Sequence, residues 1–294
     1  MKLRTKFNLV LGLASILGIV CSALLSYYLL QANAREEVLN TASIMMESAI
    51  AVRNYTINEI KPLLTRQEKH QFLPQTVPAY SANRFISELQ KKNPDYSYKE
   101  ATLNPTNLSN RATDWEVDVV TWFKNHDDQL EIIGERNSDA TGRVLYIGKP
   151  IKITNPSCLT CHSTPSQAPK TLIDAYGDAN GFGWKMDEII GAQIVSVPMS
   201  LPLQRAEKTF YSFLISIVSV FAVIGILLNI LLHFIVIKPM VNIAKQADKV
   251  SMGDLNIAEL TFTGNDEISS VSQSFNRMHR SLLNAFRMLD DVNN

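Results

Sequence analysis

With 294 residues, the chain is too long for one small core and too short for three full domains. Lysine and arginine together number 28, as do aspartate and glutamate, and this balance argues against a nucleic-acid or acidic-polymer partner. The three cysteines, Cys21, Cys158 and Cys161, are too few for a disulfide-rich secreted scaffold. The close pair therefore needs a separate interpretation.

Two uncharged runs, residues 7–34 and 210–237, are long enough to cross a membrane as helices. At 1.5 Å per residue, about 22 helical residues cover roughly 33 Å, more than the hydrocarbon core. Basic residues precede the first run and follow the second, so the positive-inside rule places both termini in the cytoplasm. They are Lys2, Arg4, Lys6, Lys238 and Lys245. The segment 35–208 is then periplasmic, on the outer face of the inner (cytoplasmic) membrane.

The first run has an alternative interpretation as a cleaved signal peptide. Ala32-Asn33-Ala34 resembles a cleavage site, and the amino end is basic. However, the run is about twice as long as the apolar core of a usual signal peptide. Tyr27 and Tyr28 near its outer end also suit a membrane interface. We therefore expect an uncleaved anchor.

The outer segment predicts a mixed α+β domain of PAS-like or Cache-like size. A long amphipathic helix is expected within 35–66, with a break at Pro62. Shorter helices are expected over 83–92 and 114–123, the second with Asp114 as its N-cap. Strands are expected within 129–153 and over 189–198, where apolar and β-branched residues replace the helical pattern.

The most specific motif is Cys158-Leu159-Thr160-Cys161-His162. The spacing C-x-x-C-H is typical of c-type haem attachment, in which the two thiols add to the two vinyl groups of the porphyrin. The following His162 then binds the iron as the proximal ligand. Attachment takes place outside the cytoplasmic membrane, where the charge pattern independently places this segment.

The cysteine pair could instead belong to a zinc site, a redox motif or a disulfide. A structural zinc site needs four nitrogen or sulfur ligands, and no second C-x-x-C or histidine cluster completes one. A redox C-x-x-C usually lies within a βαβ unit, whereas Asn155-Pro156-Ser157 precedes this pair. A structural disulfide stays possible. Covalent haem fits the added histidine and the compartment best.

The outer segment also resembles a known family, the c-type haem sensor domain of cyanobacterial and proteobacterial proteins, long catalogued as a domain of unknown function. The matching stretches are residues 52–56 (VRNYT), 77–79 (VPA), 98–102 (YKEAT), 104–107 (NPTN), 114–116 (DWE), Pro150, 158–162 (CLTCH), 176–177 (YG), 181–184 (GFGW) and 191–192 (GA). The resemblance implies a PAS-like fold, one haem and a redox-sensing or gas-sensing role. A soluble relative is thought to use a cysteine from its amino-terminal helix as the second axial ligand.

This chain departs from that ligand set, because its only other cysteine, Cys21, lies inside the first predicted span. Met46 on the amino-terminal helix is the first candidate for the second axial position, with Met45 beside it, since a Met–His pair is common in cytochromes c. His70 and His126 are further candidates. Ordinary core packing of the methionines, surface histidines and an open sixth position all stay possible.

Haem propionates need cationic and hydroxyl donors, and Arg53 and Tyr55 are the candidates on the same helix. The alternative for Arg53 is an ordinary ion pair. Four aromatic residues could cover the porphyrin or simply pack in the core. They are Trp115, Trp122, Phe182 and Trp184.

After the second run, apolar residues repeat at heptad spacing in two segments joined by a connector with Gly253-Asp254-Leu255. The first series is Met240, Ile243, Ala247 and Val250; the second is Val271, Phe275, Met278, Leu282, Ala285 and Leu289. With Pro239 at the junction and Asp266-Glu267-Ile268 opening the second helix, the module resembles a HAMP domain. That resemblance implies a parallel four-helix bundle formed by two chains, hence a homodimer.

The expected organisation is a cytoplasmic tip and first membrane helix (1–34), a periplasmic haem sensor domain (35–208), a second membrane helix (209–237) and HAMP (238–294). We expect a non-enzymatic receptor that senses redox state or a gas through haem c. Its output would lie on a cytoplasmic partner such as a histidine kinase, unless the sequence is truncated after Asn294. The alternatives are a membrane-anchored electron-transfer cytochrome c and a haem-free Cache-type sensor with Cys158 and Cys161 joined.

Overall fold

The computed structural model describes residues 3–139, 141–261 and 264–293. In chain order its α-helices are α1 (Leu3–Tyr55), α2 (Lys61–Glu68), α3 (Pro78–Gln90), α4 (Asp114–Asn125), α5 (Leu159–His162), α6 (Lys170–Tyr176), α7 (Ser200–Leu231), α8 (Lys238–Ser251) and α9 (Glu267–Asn293). The strands are β1 (Ser97–Thr102), β2 (Ile132–Ser138), β3 (Gly142–Lys152) and β4 (Ile189–Pro198). The predicted mixed α+β class is confirmed. The chain divides into two units, residues 27–209 and residues 1–26 with 210–294.

The sequence predicted a break of the long amino-terminal helix at Pro62, but the helix continues past this residue. It passes from α1 into a π-helical segment, Thr56–Ile60, and continues as α2, with Pro62 in the first turn. Proline lacks an N–H and its ring crowds the carbonyl four residues earlier. A π-helical turn relieves this crowding while the chain stays helical on both sides.

The outer unit is built on one antiparallel sheet with strand order β1-β4-β3-β2. The predicted strands within 129–153 and over 189–198 are confirmed as β2, β3 and β4. The edge strand β1 is an addition that the sequence pattern did not predict. Along β1 and β4, Ser97 pairs with Ser196 at one end and Thr102 with Gly191 at the other.

One face of this sheet packs against α1 and α3. The cluster on this face, called the α1 cluster, contains residues from both helices and from all three strands β1, β3 and β4. It includes Val38, Ala42, Met45, Met46, Ala49, Ala82, Ile86, Tyr98, Leu145, Ile147, Val195, Val197 and Met199. Helix α3 begins at Pro78, before the predicted start near residue 83, because proline suits the first turn of a helix.

The other face of the sheet packs against α4. Val119, Val120 and Phe123 are buried against strand residues such as Ala101 and Ile194 in what we call the α4 cluster. The N-cap of α4 is Thr113 and not the predicted Asp114, because Thr113 has extended backbone angles and forms a capping box with Glu116. Asp114 is the first helical residue, where a negative charge is favoured.

Two helical stretches, Leu3–Glu68 and Ser200–Ser251, are long and apolar enough to cross a membrane, by length and composition. Neither apolar window is buried within the structure. In α7, the helix again passes into a π-helical segment, Leu232–Ile237, just before Pro239 in α8. The two predicted spans are thus present as continuous helices.

The carboxyl-terminal helices α8 and α9 pack around Ile243, Val250, Leu260 and Phe275. Helix α8 ends at Ser251, and Gly253 follows with a positive φ of 90°, as the predicted break requires. Polar groups of α9 fix the connector. The Asn276 side chain exchanges two hydrogen bonds with the backbone of Leu260, and His279 Nε2 lies 3.0 Å from the Leu255 carbonyl oxygen.

Candidate haem attachment site

The two cysteines of the motif lie one helical turn apart on a short, well-started helix. The Asn155 side chain accepts a hydrogen bond from the Ser157 amide (2.9 Å) and begins the 3₁₀ turn Pro156–Cys158. Helix α5 follows directly and carries Cys161 and His162. Residues three apart on a helix share a face, so both thiols point to the same side. Both are free and half-buried.

His162 is held by one ring nitrogen, which leaves the other available. Its Nδ1 lies 2.7 Å from the Gly181 carbonyl oxygen, so Nδ1 donates this bond and Nε2 keeps its lone pair. This is the arrangement expected of a metal-binding imidazole whose second nitrogen bonds a backbone carbonyl. Burial lowers the pKa of His162 and outweighs the opposite effect of the Gly181 bond. The neutral form, which can bind a metal, is therefore favoured.

The ring of His162 also stacks on Trp184, with centroids 3.8 Å apart and planes inclined by 16°. Two backbone bonds tie the same segments together, from Gly183 to the Ser163 carbonyl (2.8 Å) and from Trp184 to the His162 carbonyl (3.2 Å). The sequence left open whether Trp184 covers a porphyrin face. In the structure it supports the imidazole plane.

Gly181 is the point at which the loop before β4 meets the loop after β1. Its φ is +85°, and a Cβ there would collide with Thr106 Oγ1 and lie 2.9 Å from Thr106 Cα. The Asn104 side chain accepts from the Gly181 amide (3.2 Å) and donates to the Phe182 carbonyl (3.4 Å). Only glycine fits this position, and the loop at 104–106 sets where the His162 acceptor lies.

Arg53 lies at the end of α1 beside the motif, but its charge is already paired. Its Nη1 is 2.5 Å from both carboxylate oxygens of Glu100, and the Tyr98 hydroxyl donates to Glu100 at 2.9 Å. Burial acts to lower the pKa of Arg53, yet attraction by Glu100 and the nearby Tyr98 and Cys158 raises it overall. The same burial raises the pKa of Tyr98. Arg53 is thus a fixed cation beside the first cysteine.

The segment that follows the π-helical turn faces the second cysteine. Burial raises the pKa of Cys161, and Lys61 opposes this while Glu68 adds to it. The Thr171 hydroxyl donates to the Glu68 carbonyl oxygen (3.5 Å), which joins α6 to α2. Tyr55, predicted to serve a propionate, lies just before this turn and is 52% exposed.

The candidates for the second axial position lie elsewhere in the outer unit. Met46 is fully buried and Met45 nearly so, both within the α1 cluster, which contains no residue of the motif. Along the helix axis roughly 10 Å separates Met46 from Arg53. His70 is exposed after α2, and His126 is exposed after α4, where it stacks on Trp122. None of these is brought to His162 by a contact in the described part, so the second ligand stays a prediction.

Packing decides the positions of the remaining aromatic candidates. Trp115 and Trp122 lie against the α4 cluster, on the opposite face of the sheet from α1. Phe182 is half-buried next to Gly181. No group of three or more His, Cys, Asp or Glu side chains that could hold a metal ion occurs among the described residues. The zinc alternative therefore has no ligand set there.

Sequence reasoning did not assign the roles of Glu100, Asn104, Gly181 and Trp184. Three of them fall in stretches singled out for the resemblance, 104–107 and 181–184. Glu100 falls in another, 98–102. The signal was present as residue identity, but only the fold shows which groups meet.

Comparison with known families gives two matches. The model described as Tll0287-like matches residues 31–198, and the HAMP domain model matches residues 231–284. The chain belongs to the Tll0287-like family. Its HAMP domain and two apolar helices make it a membrane protein with the architecture of a signalling receptor. The predicted haem sensor domain followed by HAMP is confirmed at this level.

Among solved structures, the Tll0287-like domain is similar to one described as "Crystal structure of the cyanobacterial heme-protein Tll0287". The identity is 16% and the TM-score 0.43, over 55% of this chain and 95% of that one. Comparison with curated proteins finds no match.

Proposed function

We propose that this protein is a membrane receptor that carries one covalently attached haem c in its Tll0287-like domain and relays the state of that haem through HAMP. The observation that supports this most is the state of His162. Its Nδ1 is fixed on Gly181, its Nε2 is available, and two free thiols precede it at the attachment spacing.

The residues present fit such a group. Cys158 and Cys161 would bind the porphyrin edge, and His162 Nε2 would bind the iron. The Gly181 carbonyl, by accepting from Nδ1, increases the electron-donating strength of the imidazole. When bound, haem supplies a one-electron redox centre or an iron that takes up a gas. For the second axial ligand we keep Met46 as a proposal, with Met45, His70 and an open position as its alternatives.

Arg53 and Tyr55 are proposed to lie near the propionates. Arg53 is the stronger case, because it is a half-buried cation whose electrostatic neighbours include Cys158. A propionate would have to share the guanidinium with Glu100, which already takes its Nη1. An arginine has five N–H donors, so one nitrogen bound to Glu100 leaves others for a second carboxylate.

The route of the signal follows the chain. Arg53 stands near the carboxyl end of α1, which runs uninterrupted from the first predicted span. Strand β4 leads through Met199 into α7, the second predicted span, and on to α8. A change in haem state shifts these helices only if it binds one conformation better than the other. We propose the ion pair between Arg53 and Glu100 as the charged contact through which the haem would act on α1.

We further propose that two chains assemble through HAMP, with the haem domain periplasmic and HAMP cytoplasmic at the inner membrane. In the single chain, three side chains of the heptad series are partly exposed to solvent: Met240 (41%), Val271 (44%) and Met278 (47%). Apolar heptad positions left uncovered in one chain are those that a parallel partner would cover. A separate cytoplasmic output protein, such as a histidine kinase, completes the proposal. The limits proposed for the parts are 1–34, 35–208, 209–237 and 238–294.

The covalent haem is tested with the full chain produced together with a cytochrome c maturation system. We expect the Soret absorbance to stay with the protein through acidified-acetone extraction, because thioether bonds survive this treatment. Cys158→Ala combined with Cys161→Ala should lose it. Cys21→Ala, the same change at the cysteine within the first span, is the matched control and should retain it. A Soret band fully extracted from the unaltered protein would contradict the proposal.

A further inference from the structure

A cavity in the outer unit is lined by none of the residues of the attachment motif. It has a volume of about 340 Å³ and lies on the α4 side of the sheet, beside the start of that helix. We call it the α4 cavity, and its lining includes Ser97, Lys99, Trp115, Glu116, Arg136 and Ser196. Ser97 and Ser196 are paired at the end of the sheet opposite Thr102 and Gly191. About 17 Å of strand separates that end from the loop at Asn104 that supports the motif.

The charges in the α4 cavity do not cancel. Lys99 Nζ lies 2.7 Å from Glu116 Oε2, and the same oxygen accepts from the Thr113 amide at 2.7 Å. Oε2 of Glu116 is therefore engaged both by its own helix start and by Lys99. Arg136 remains as a cation with no carboxylate partner among the described residues, so the cavity carries a net positive charge.

Arg136 is also oriented without a hydrogen bond. Its guanidinium carbon lies 4.1 Å from the ring centroid of Trp115. Its Nε is buried and has no hydrogen-bond partner in the described part of the chain. Stacking on an indole keeps the guanidinium plane rigid, which reduces the entropy lost when it binds a ligand.

We propose that the α4 cavity binds a small organic carboxylate through Arg136. A carboxylate matches the planar fork of a guanidinium with two parallel hydrogen bonds. The volume is at the lower end of the roughly 300–1,000 Å³ typical of ligand pockets, so the ligand is a few carbons long. Trp115 offers an apolar surface for those carbons, and Ser97 and Ser196 line the same space.

This site does not depend on the haem. It shares no residue with the motif, with Gly181 or with the Arg53–Glu100 pair. The sensor domain would then receive two inputs. Strand β1 borders both, since Lys99 lines the cavity and the adjacent Glu100 binds Arg53.

The test is calorimetric titration of the full chain in lipid nanodiscs with butanoate, succinate and glutamate. Butanamide serves as the uncharged analogue of butanoate, and sulfate as an inorganic anion. We expect at least one carboxylate to bind at sub-millimolar concentration, and butanamide and sulfate to bind at least tenfold more weakly. Arg136→Met should weaken carboxylate binding by about tenfold or more, and Arg136→Lys by less.

The matched control is Arg143→Met, which removes an arginine of the next strand that pairs with Glu135 outside the cavity. It should leave the titration unchanged, and the Soret band should be the same in every variant. No carboxylate binding up to 10 mM would overturn the proposal. So would equal binding of sulfate, or equal loss in Arg143→Met and Arg136→Met. Haem content is read separately, so its absence would count against the proposed function alone.

Discussion

Replacing Gly181 by alanine tests whether this glycine positions the proximal histidine. Alanine at a φ of +85° costs about 1–2 kcal/mol, because its Cβ crowds the backbone in the left-handed region. The Cβ would also lie 2.9 Å from Thr106 Cα, a backbone atom that cannot rotate away. If the loop shifts to relieve this contact, the 2.7 Å bond to His162 lengthens, at a cost of about 1 kcal/mol. We expect the free energy of unfolding to fall by about 3 kcal/mol.

Gly183→Ala separates backbone strain from the contact with Thr106. Gly183 has nearly the same φ, +83°, but a Cβ there meets nothing within 4 Å. Strain alone should lower its free energy of unfolding by about 1–2 kcal/mol. The difference of roughly 1–2 kcal/mol between the two variants measures the contact and the histidine bond together.

Unfolding is followed by tryptophan fluorescence of the full chain in urea. All three tryptophans, at positions 115, 122 and 184, lie in the outer unit, so the signal reports on that unit. In haem-loaded protein, the midpoint potential adds a direct measure, since a weaker Nδ1 bond makes the imidazole less electron-donating and raises that potential. The reasoning would be refuted if Gly181→Ala were no less stable than Gly183→Ala and left the midpoint potential unchanged.

Three further predictions use the same urea unfolding or pH titration. Glu100→Ala leaves the half-buried charge of Arg53 unpaired and should cost about 3 kcal/mol, the low end for a buried pair. Glu88→Ala at an exposed pair should change little, and equal effects of the two changes would contradict this prediction. Thr113→Ala removes the cap of α4 and should cost about 0.5–2 kcal/mol, and a neutral result would exclude the cap as a stabilising contact. Hydrogen bonds from the start of α9 lower the pKa of Asp266. The ionised Asp266 therefore stabilises this helix start fully above the unfolded pKa of about 3.9, and the stabilisation is lost as the pH falls through the lower pKa of the folded state. Amide exchange at that helix start should show this loss, and Asp266→Asn should flatten it.

The sequence predicted the elements whose patterns are local. Strands β2, β3 and β4 alternate apolar and polar residues or run continuously apolar, and the predicted boundaries agree to within a few residues. The motif at 158–162 was identified from spacing alone. Strand β1 was missed because its inward positions include Glu100, a carboxylate that reads as exposed until its partner is known. That partner, Arg53, is 47 residues away along the chain.

The contacts around the candidate site also join residues that are far apart along the chain. Gly181 lies 19 residues from His162 and 77 from Asn104, and no periodicity connects these positions. A glycine in sequence also does not reveal which neighbour excludes a side chain. The composition of the site was therefore visible in the sequence, and its geometry was not.

The helices that continue from the two predicted spans show why the prediction of a helix break at Pro62 was wrong. The tripeptide Ile-Lys-Pro occurs at 60–62 and again at 237–239, and a π-helical segment precedes it each time. Strong helical sequence on both sides makes one widened turn less costly than a break. The extra residue in the π-helical turn rotates the side chains of the following helix about the helix axis, relative to those of the preceding helix. Met46 lies before the turn at 56–60, whereas Lys61 and Glu68, whose charges affect the pKa of Cys161, lie after it. A search for the second axial ligand that projects residues 35–66 as one regular helix therefore assigns the wrong face to the part after the turn.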